Sequence, residues 1–278
     1  MSNNNQIFAI NRDEVMAIVE ARHDNPHHIL GMHQCLKDLY VNVFAPDVAQ
    51  VFVVDIANGD EYETEEIVSG FYTVKISGRK PFDYEIKTVC TTFDEAGDLV
   101  ERARVFKDPY AFPYSVDPAK VVDIISGRTS FADGFKVKDI FGVRYITLNG
   151  VSGTSFCMEV KGARRVSVVG DFNNWDASVH QLRKIDYTDI FELFIPEVIK
   201  DSKYKFSVLF YDGREEMWAD PYAICYEKAP GNASMLTEFS YEYHDDEFIK
   251  ARKKNKESLN IYEIHMSTFM RNEDGSVP

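Results

Sequence analysis

The sequence predicts an all-β chain folded as two tandem antiparallel β-sandwiches behind a short N-terminal helix. Three observations carry that prediction: an internal repeat, β-branched and aromatic runs of strand length in both copies, and turn residues where a helical period would have to continue. In the repeat, Val51-Phe52-Val53-Val54-Asp55 answers to Val166-Ser167-Val168-Val169-Gly170, and Asp108-Pro109-Tyr110-Ala111-Phe112 to Asp220-Pro221-Tyr222-Ala223-Ile224. The two motifs are separated by 57 residues in the first copy and 54 in the second. Between them, Gly70-Phe71-Tyr72 matches Ile190-Phe191-Glu192, and Tyr84-Glu85-Ile86 matches Tyr204-Lys205-Phe206, in the same order.

The elements follow along the chain. Residues 11–22 place Val15, Ile18 and Val19 at helical spacing, with Asp13 and Glu14 where a first turn favours negative charge. In the first copy, 40–44, 51–56, 71–76 and 83–89 read as strands. In the second, 155–160, 166–169, 191–195 and 204–210 do. Asn58-Gly59-Asp60 and Asp212-Gly213 are turn signals between strands. Strands at this spacing bury one face each as a pair of packed, immunoglobulin-like sheets, and a hundred residues suffice for such a core. The expected limits are a leading helix and first sandwich over 1–115, a connector over 116–143 packed between the copies, a second sandwich over 144–240, and a charged linker with some helix and a strand over 241–278.

Composition limits function. The chain of 278 residues carries 31 Lys and Arg against 45 Asp and Glu, a net charge of −14, which disfavours nucleic acid and anionic membrane surfaces as partners. Four cysteines, at 35, 90, 157 and 225, have no zinc-like or scaffold spacing, and no apolar run is long enough to span a bilayer, so a cytoplasmic protein is expected. Four of the seven histidines, His23, His27, His28 and His33, lie close together. Pro26 breaks the helix that would let His23 and His27 share a metal, so a hydrogen-bonded loop is the better reading. No catalytic residue, metal site or cofactor site is expected. Nucleophile elbows and phosphate loops are absent, and the many carboxylates read as solvated surface.

Trp175 and Trp218 stand apart, since both lie in polar loops of the second copy. A flat indole stacks on the C–H face of a pyranose while nearby polar groups bond its hydroxyls, although burial in a core is the commoner fate of tryptophan.

A family resemblance rests on ordered strings. His23 to His33, Asp108 to Phe112, Arg164 to Asp176, Phe191 to Pro196, Tyr204 to Phe206, Ala219 to Ala223 and Ile261 to His265 together resemble the N-terminal half of bacterial glycogen (1,4-α-glucan) branching enzymes. Val166 to Asp176 is the most specific of them. The resemblance implies two starch-binding-like modules preceding a (β/α)8 barrel that cuts an α-1,4 chain and rejoins it as an α-1,6 branch. Leu259 to Ile264 would be the first barrel strand, with all catalytic carboxylates beyond Pro278. It further implies a sugar platform of Trp175, Lys205, Trp218, Asn232 and Ser234, with α-glucan and the barrel as partners. The expected function is that of a non-catalytic, weakly glucan-binding region, inactive alone. The alternative is a β-sandwich scaffold for protein contacts. Two departures stand out: the family's Trp-Ala-Pro is Glu159-Val160-Lys161 here, and its aromatic pattern is only partly kept between Tyr243 and Phe248.

Overall fold

The computed structural model describes residues 11–94, 97–128, 139–238, 242, 244–254, 262–265 and 270–276. Residues 1–238 form one unit and 239–278 another. Helix α1 (Arg12–Val19) starts where Asn11 Oδ1 accepts the Asp13 N–H at 3.0 Å. Its buried Val15 and Ile18 pack with Ile29, Leu30 and Phe71. In the loop that follows, three of the four histidines are hydrogen-bonded, while His27 Nδ1 and Asn25 Oδ1 are buried without a hydrogen-bond partner. His23 Nδ1 accepts the Asn25 N–H, His28 Nε2 meets Asn25 Nδ2, and His33 Nε2 meets the Leu30 carbonyl. His27 lies edge-on to Tyr110 at 5.1 Å.

The first sandwich pairs two antiparallel sheets. One runs β1 (Gly31–Cys35), β2 (Asp38–Phe44), β6 (Phe71–Ser77), β5 (Glu65–Val68). The other runs β4 (Glu61–Glu63), β3 (Gln50–Asp55), β7 (Tyr84–Phe93), β8 (Leu99–Phe106). Alternate residues of β2, β3 and β7, among them Leu39, Val41, Val51, Val53 and Ile86, fill the core between them.

The second sandwich repeats the plan. One sheet runs β12 (Arg183–Lys184), β13 (Ile190–Ile195), β10 (Val151–Glu159), β9 (Gly142–Leu148). The other runs β11 (Ala163–Gly170), β14 (Lys203–Phe210), β15 (Glu215–Trp218), with β16 (Ser234–Met235) also on β14. Phe156, Phe191, Val166, Val168, Tyr204, Phe206 and Val208 form its core, each worth about 1.5–3 kcal/mol on burial.

The two copies agree in register and in chemistry. Val53 pairs with Ile86 and Asp55 with Tyr84; correspondingly, Val168 pairs with Phe206 and Gly170 with Tyr204. Tyr84 donates its hydroxyl to Asp108 Oδ2 at 2.7 Å, and Asp108 Oδ1 caps the Tyr110 N–H at 2.9 Å. Tyr204 does the same to Asp220 Oδ2 at 2.7 Å, with Asp220 Oδ1 on the Tyr222 N–H at 2.8 Å. All four side chains are buried. The repeated Asp-Pro-Tyr is therefore a structural device, in which a buried carboxylate needs a hydroxyl from the neighbouring strand to offset its desolvation.

The connector differs from its expected position. Helix α2 (Pro118–Ile125), capped by Asp117, packs with Val116 and Val121 against Phe141, Cys157, Ile185 and Ile190. Cys157 and Ile190 are on the outer face of the β12-β13-β10-β9 sheet, so this segment covers the second sandwich instead of wedging between the copies. Contacts between the sandwiches come from elsewhere. Tyr110 Oη donates to the Val179 carbonyl and accepts the Gln181 N–H, both at 3.1 Å, and Phe112 meets Phe194 at 4.9 Å. Buried Arg165 donates to the Ala21 carbonyl after α1, to Ser207 and to Glu215.

In the second unit, α3 (Asp246–Lys254) provides the expected linker helix and exposes Phe248. Of the strand expected over 259–264, residues 259–261 lie outside the described residues and 262–264 have no regular structure, so no strand forms there among the described residues. Tyr243 also lies outside the described residues. No helix of the described residues is long and apolar enough to cross a membrane.

Candidate glucan-facing surface

Trp175 is set at the end of β11 by backbone and side-chain bonds together. Asn174 and Trp175 both adopt left-handed φ, 54° and 60°, which is uncommon for a bulky residue and persists only where neighbours enforce it. Asn173 supplies the enforcement. Its Oδ1 accepts the Gly170 N–H at 2.8 Å and its Nδ2 donates to the Val168 carbonyl at 2.9 Å. That Nδ2 also meets His180 Nδ1 at 3.0 Å, and burial lowers the His180 pKa to about 4, so the ring is neutral and can accept. The Trp175 N–H closes the turn on the Gly170 carbonyl at 3.0 Å, and the indole remains 37% exposed.

From the indole a chain of hydrogen bonds runs along the outer face of β14. Trp175 Nε1 donates to Asp171 Oδ1 at 3.0 Å, while Asp171 Oδ2 accepts the Lys203 N–H at 2.9 Å. Lys203 Nζ pairs with Glu227 Oε2 at 2.8 Å, and Glu227 Oε1 accepts the Asn232 N–H at 2.8 Å and the Ala233 N–H at 3.0 Å. Asn232 Oδ1 in turn accepts from Lys205 Nζ. The Lys203 ammonium and then the Ala233 N–H lower the Glu227 carboxyl to about 2, so it is an anion at any ordinary pH. Gly231 is required by this arrangement, because a Cβ there would lie 2.1 Å from Glu227 Cδ. The result is an exposed indole continuous with a row of fixed donors and acceptors, a combination suited to stacking a pyranose and bonding its hydroxyls.

The five residues expected from sequence separate into two groups. Trp175, Lys205 and Asn232 share this surface. Trp218 does not: it pairs directly with Phe206, whose ring is in the core, and directly paired residues share a face. Trp218 is accordingly half-buried against the core, 6.0 Å from Phe210, with Nε1 donating to Glu216 Oε2 at 2.8 Å. Lys205, one residue from Phe206, faces the other way, as does Met217 beside Trp218. Ser234 is fully buried opposite Tyr204, its Oγ accepting the Asp220 N–H at 2.8 Å. Asp171, Lys203 and Glu227 were not expected. Only the position of Asp171, four residues before the tryptophan in the same polar string, hinted at a role.

At the equivalent position of the first sandwich, among the described residues, the turn is built differently. Where β11 leads to the Trp175 loop, β3 leads to a turn in which buried Asp55 accepts the Ala57 N–H at 2.9 Å and pairs with Arg79 at 2.7 Å.

Separate known families match the two sandwiches. Residues 11–110 match the family described as alpha-1,4-glucan branching enzyme GlgB, N-terminal domain, and residues 140–223 match carbohydrate-binding module 48, the isoamylase N-terminal domain. The chain carries the N-terminal region of the GlgB branching-enzyme family. It is 31% identical to the 1,4-alpha-glucan branching enzyme GlgB of Paraburkholderia xenovorans over 93% of this chain and 34% of that enzyme. With the GlgB of Agrobacterium fabrum it shares 32% identity over 96% of this chain and 35% of that enzyme. The chain thus spans about a third of the length of the curated GlgB relatives it matches. A solved pullulanase complexed with maltotriose, from Anoxybacillus sp. LM18-11, is similar at 13% identity and a TM-score of 0.29 over 85% of this chain and 30% of its own, too weak a likeness to support inference.

Proposed function

We propose that this chain is a non-catalytic region of a glycogen branching enzyme and holds α-glucan weakly through Trp175, Lys205 and Asn232. The branching reaction itself, cleavage of an α-1,4 chain and its transfer to an α-1,6 position, we assign to a catalytic barrel that partners this region. The chain alone is then inactive toward amylose. The domain limits near residues 115, 144 and 240 belong to the same proposal, as does a reducing, cytoplasmic setting, with which four unpaired cysteines agree.

One observation carries the reading. An indole that could have been buried is held outward in a left-handed backbone conformation, bonded through Asp171 to the strand that bears Lys205. If a stacked glucosyl ring removes ~100 Å2 of apolar surface from water, the gross gain is ~2.5 kcal/mol, so one platform supports weak binding only. A polymer with many equivalent sites makes weak binding useful.

Co-sedimentation with glycogen tests this. The intact chain should bind, Trp175→Ala should lose most of the binding, and Trp218→Ala should lose little beyond what its effect on stability explains. No binding by the intact, folded chain would overturn the proposal and favour a scaffold that contacts protein.

A further inference from the structure

We infer that the second sandwich has another α-glucan site, a cleft beside Tyr187 on its opposite face. The cleft holds about 600 Å3, within the ~300–1,000 Å3 of small-molecule sites, and lies where α2 crosses the outer face of the β12-β13-β10-β9 sheet. Tyr187 is fully exposed, so its ring adds nothing to any core. Its backbone is nonetheless held in place. Its φ is 60°, in the left-handed region, within a turn closed by the Thr188 N–H and Oγ on the Ile185 carbonyl and by the Ile190 N–H on Thr188 Oγ. The turn fixes where the ring leaves the backbone, so only its two side-chain torsions remain to be ordered on stacking.

The lining selects the ligand class. Ile124 and Ile125 supply the accessible apolar lining, above buried Ile190 and Phe141, which is itself braced by stacking on Tyr222 at 5.3 Å. Around it stand two cations and two anions already matched to each other: Lys184 with Asp189 at 3.2 Å and Lys161 with Glu159 at 4.0 Å. A charged ligand would find no uncompensated partner there. A neutral polyol with apolar ring faces fits both the apolar lining and the alternating donors and acceptors. The inference rests on the α-glucan reading above, but uses none of the residues of the Trp175 surface. Because the two sites lie on outer faces of the two opposed sheets, they would engage two glucan chains, not two points along one.

The test is a titration of the isotope-labelled chain with maltoheptaose, followed by amide NMR. Two separate groups of saturating shifts are expected, one around Asp171 to Trp175 and one around Tyr187 to Ile190. Trp175→Ala should remove only the first and Tyr187→Ala only the second. Tyr187→Ala should also weaken glycogen co-sedimentation by roughly tenfold or more through lost multivalency. Shifts confined to the Trp175 loop, or second-group shifts that persist in Tyr187→Ala, overturn this inference and leave the proposed function standing. Shifts confined to the Tyr187 group would instead refute the Trp175 site and support this one, and no shifts in either group overturn both.

Discussion

Replacing Tyr204 by Phe removes one oxygen atom and almost nothing else. That oxygen donates at 2.7 Å to Asp220 Oδ2, and both side chains are buried, so no water replaces it. The carboxylate keeps only the Tyr222 N–H at 2.8 Å on its other oxygen. Hydrogen bonds to a charged acceptor contribute ~1.5–3 kcal/mol, and an unsatisfied buried carboxylate sits at the upper part of that range. For a cooperative unit the size of residues 1–238, ~2 kcal/mol lowers Tm by about 4–8 °C. Urea unfolding followed by tryptophan fluorescence suits the measurement, because Trp175 and Trp218 are both in the second sandwich. Tyr226→Phe is the comparison. Its hydroxyl donates to the neutral Asp220 carbonyl at 2.7 Å from a half-exposed ring, and should cost under ~1 kcal/mol. Tyr84→Phe, read by circular dichroism, should match Tyr204→Phe, since it breaks the equivalent bond to Asp108. A loss below ~0.5 kcal/mol for both Tyr204→Phe and Tyr84→Phe would refute the repeated-carboxylate reasoning.

Two further outcomes are expected. Burial pushes the Asp108 carboxyl from 3.8 up to about 6, against the opposing bonds from Tyr84 and Tyr110. A folded-state pKa raised in this way contributes stability that is complete below about 3.8 and lost as pH rises through about 6. The wild type should therefore lose up to about 3 kcal/mol relative to Asp108→Asn between pH 4 and pH 7, and paired urea midpoints that keep a constant difference would contradict this. Gly153→Ala, near the start of β10, would place a Cβ 2.4 Å from the Ile195 carbonyl oxygen and 2.5 Å from Phe194 Cζ. Overpacking against fixed backbone should cost about 1–3 kcal/mol or more, and a variant that melts with the wild type would show that β13 yields more easily than its packing implies.

Much of this architecture is written locally. The eight strands read from β-branched and aromatic runs all form, because each run alternates a core residue with an outward one, as Val51 and Val53 or Phe206 and Val208 do. Two of the strands not anticipated, β8 and β15, lack that signature, whereas β9, Gly-Val-Arg-Tyr-Ile-Thr-Leu, has it and was overlooked at the connector boundary. β8 carries Glu101, Arg102 and Arg104 on an edge with little burial, and β15 has only four residues. Helix α2 lies inside the segment read only as a connector, although its Asp117 cap, Pro118 and the apolar Val121, Val122, Ile124 and Ile125 carry a helical signal.

What the sequence determined by itself was the pair of sandwiches, their repeat, the leading helix, and an aromatic loop ending in Trp175, since these follow from short-range pattern and chain order. Which side of a sheet a residue occupies was decided only by tertiary pairing. A strand reverses faces at every residue, so the register of β15 on β14 turns Trp218 toward the core and leaves Lys205 outside. The bonds that join Trp175 to Asn232 through Asp171, Lys203 and Glu227 connect segments more than fifty residues apart, and no local pattern records them.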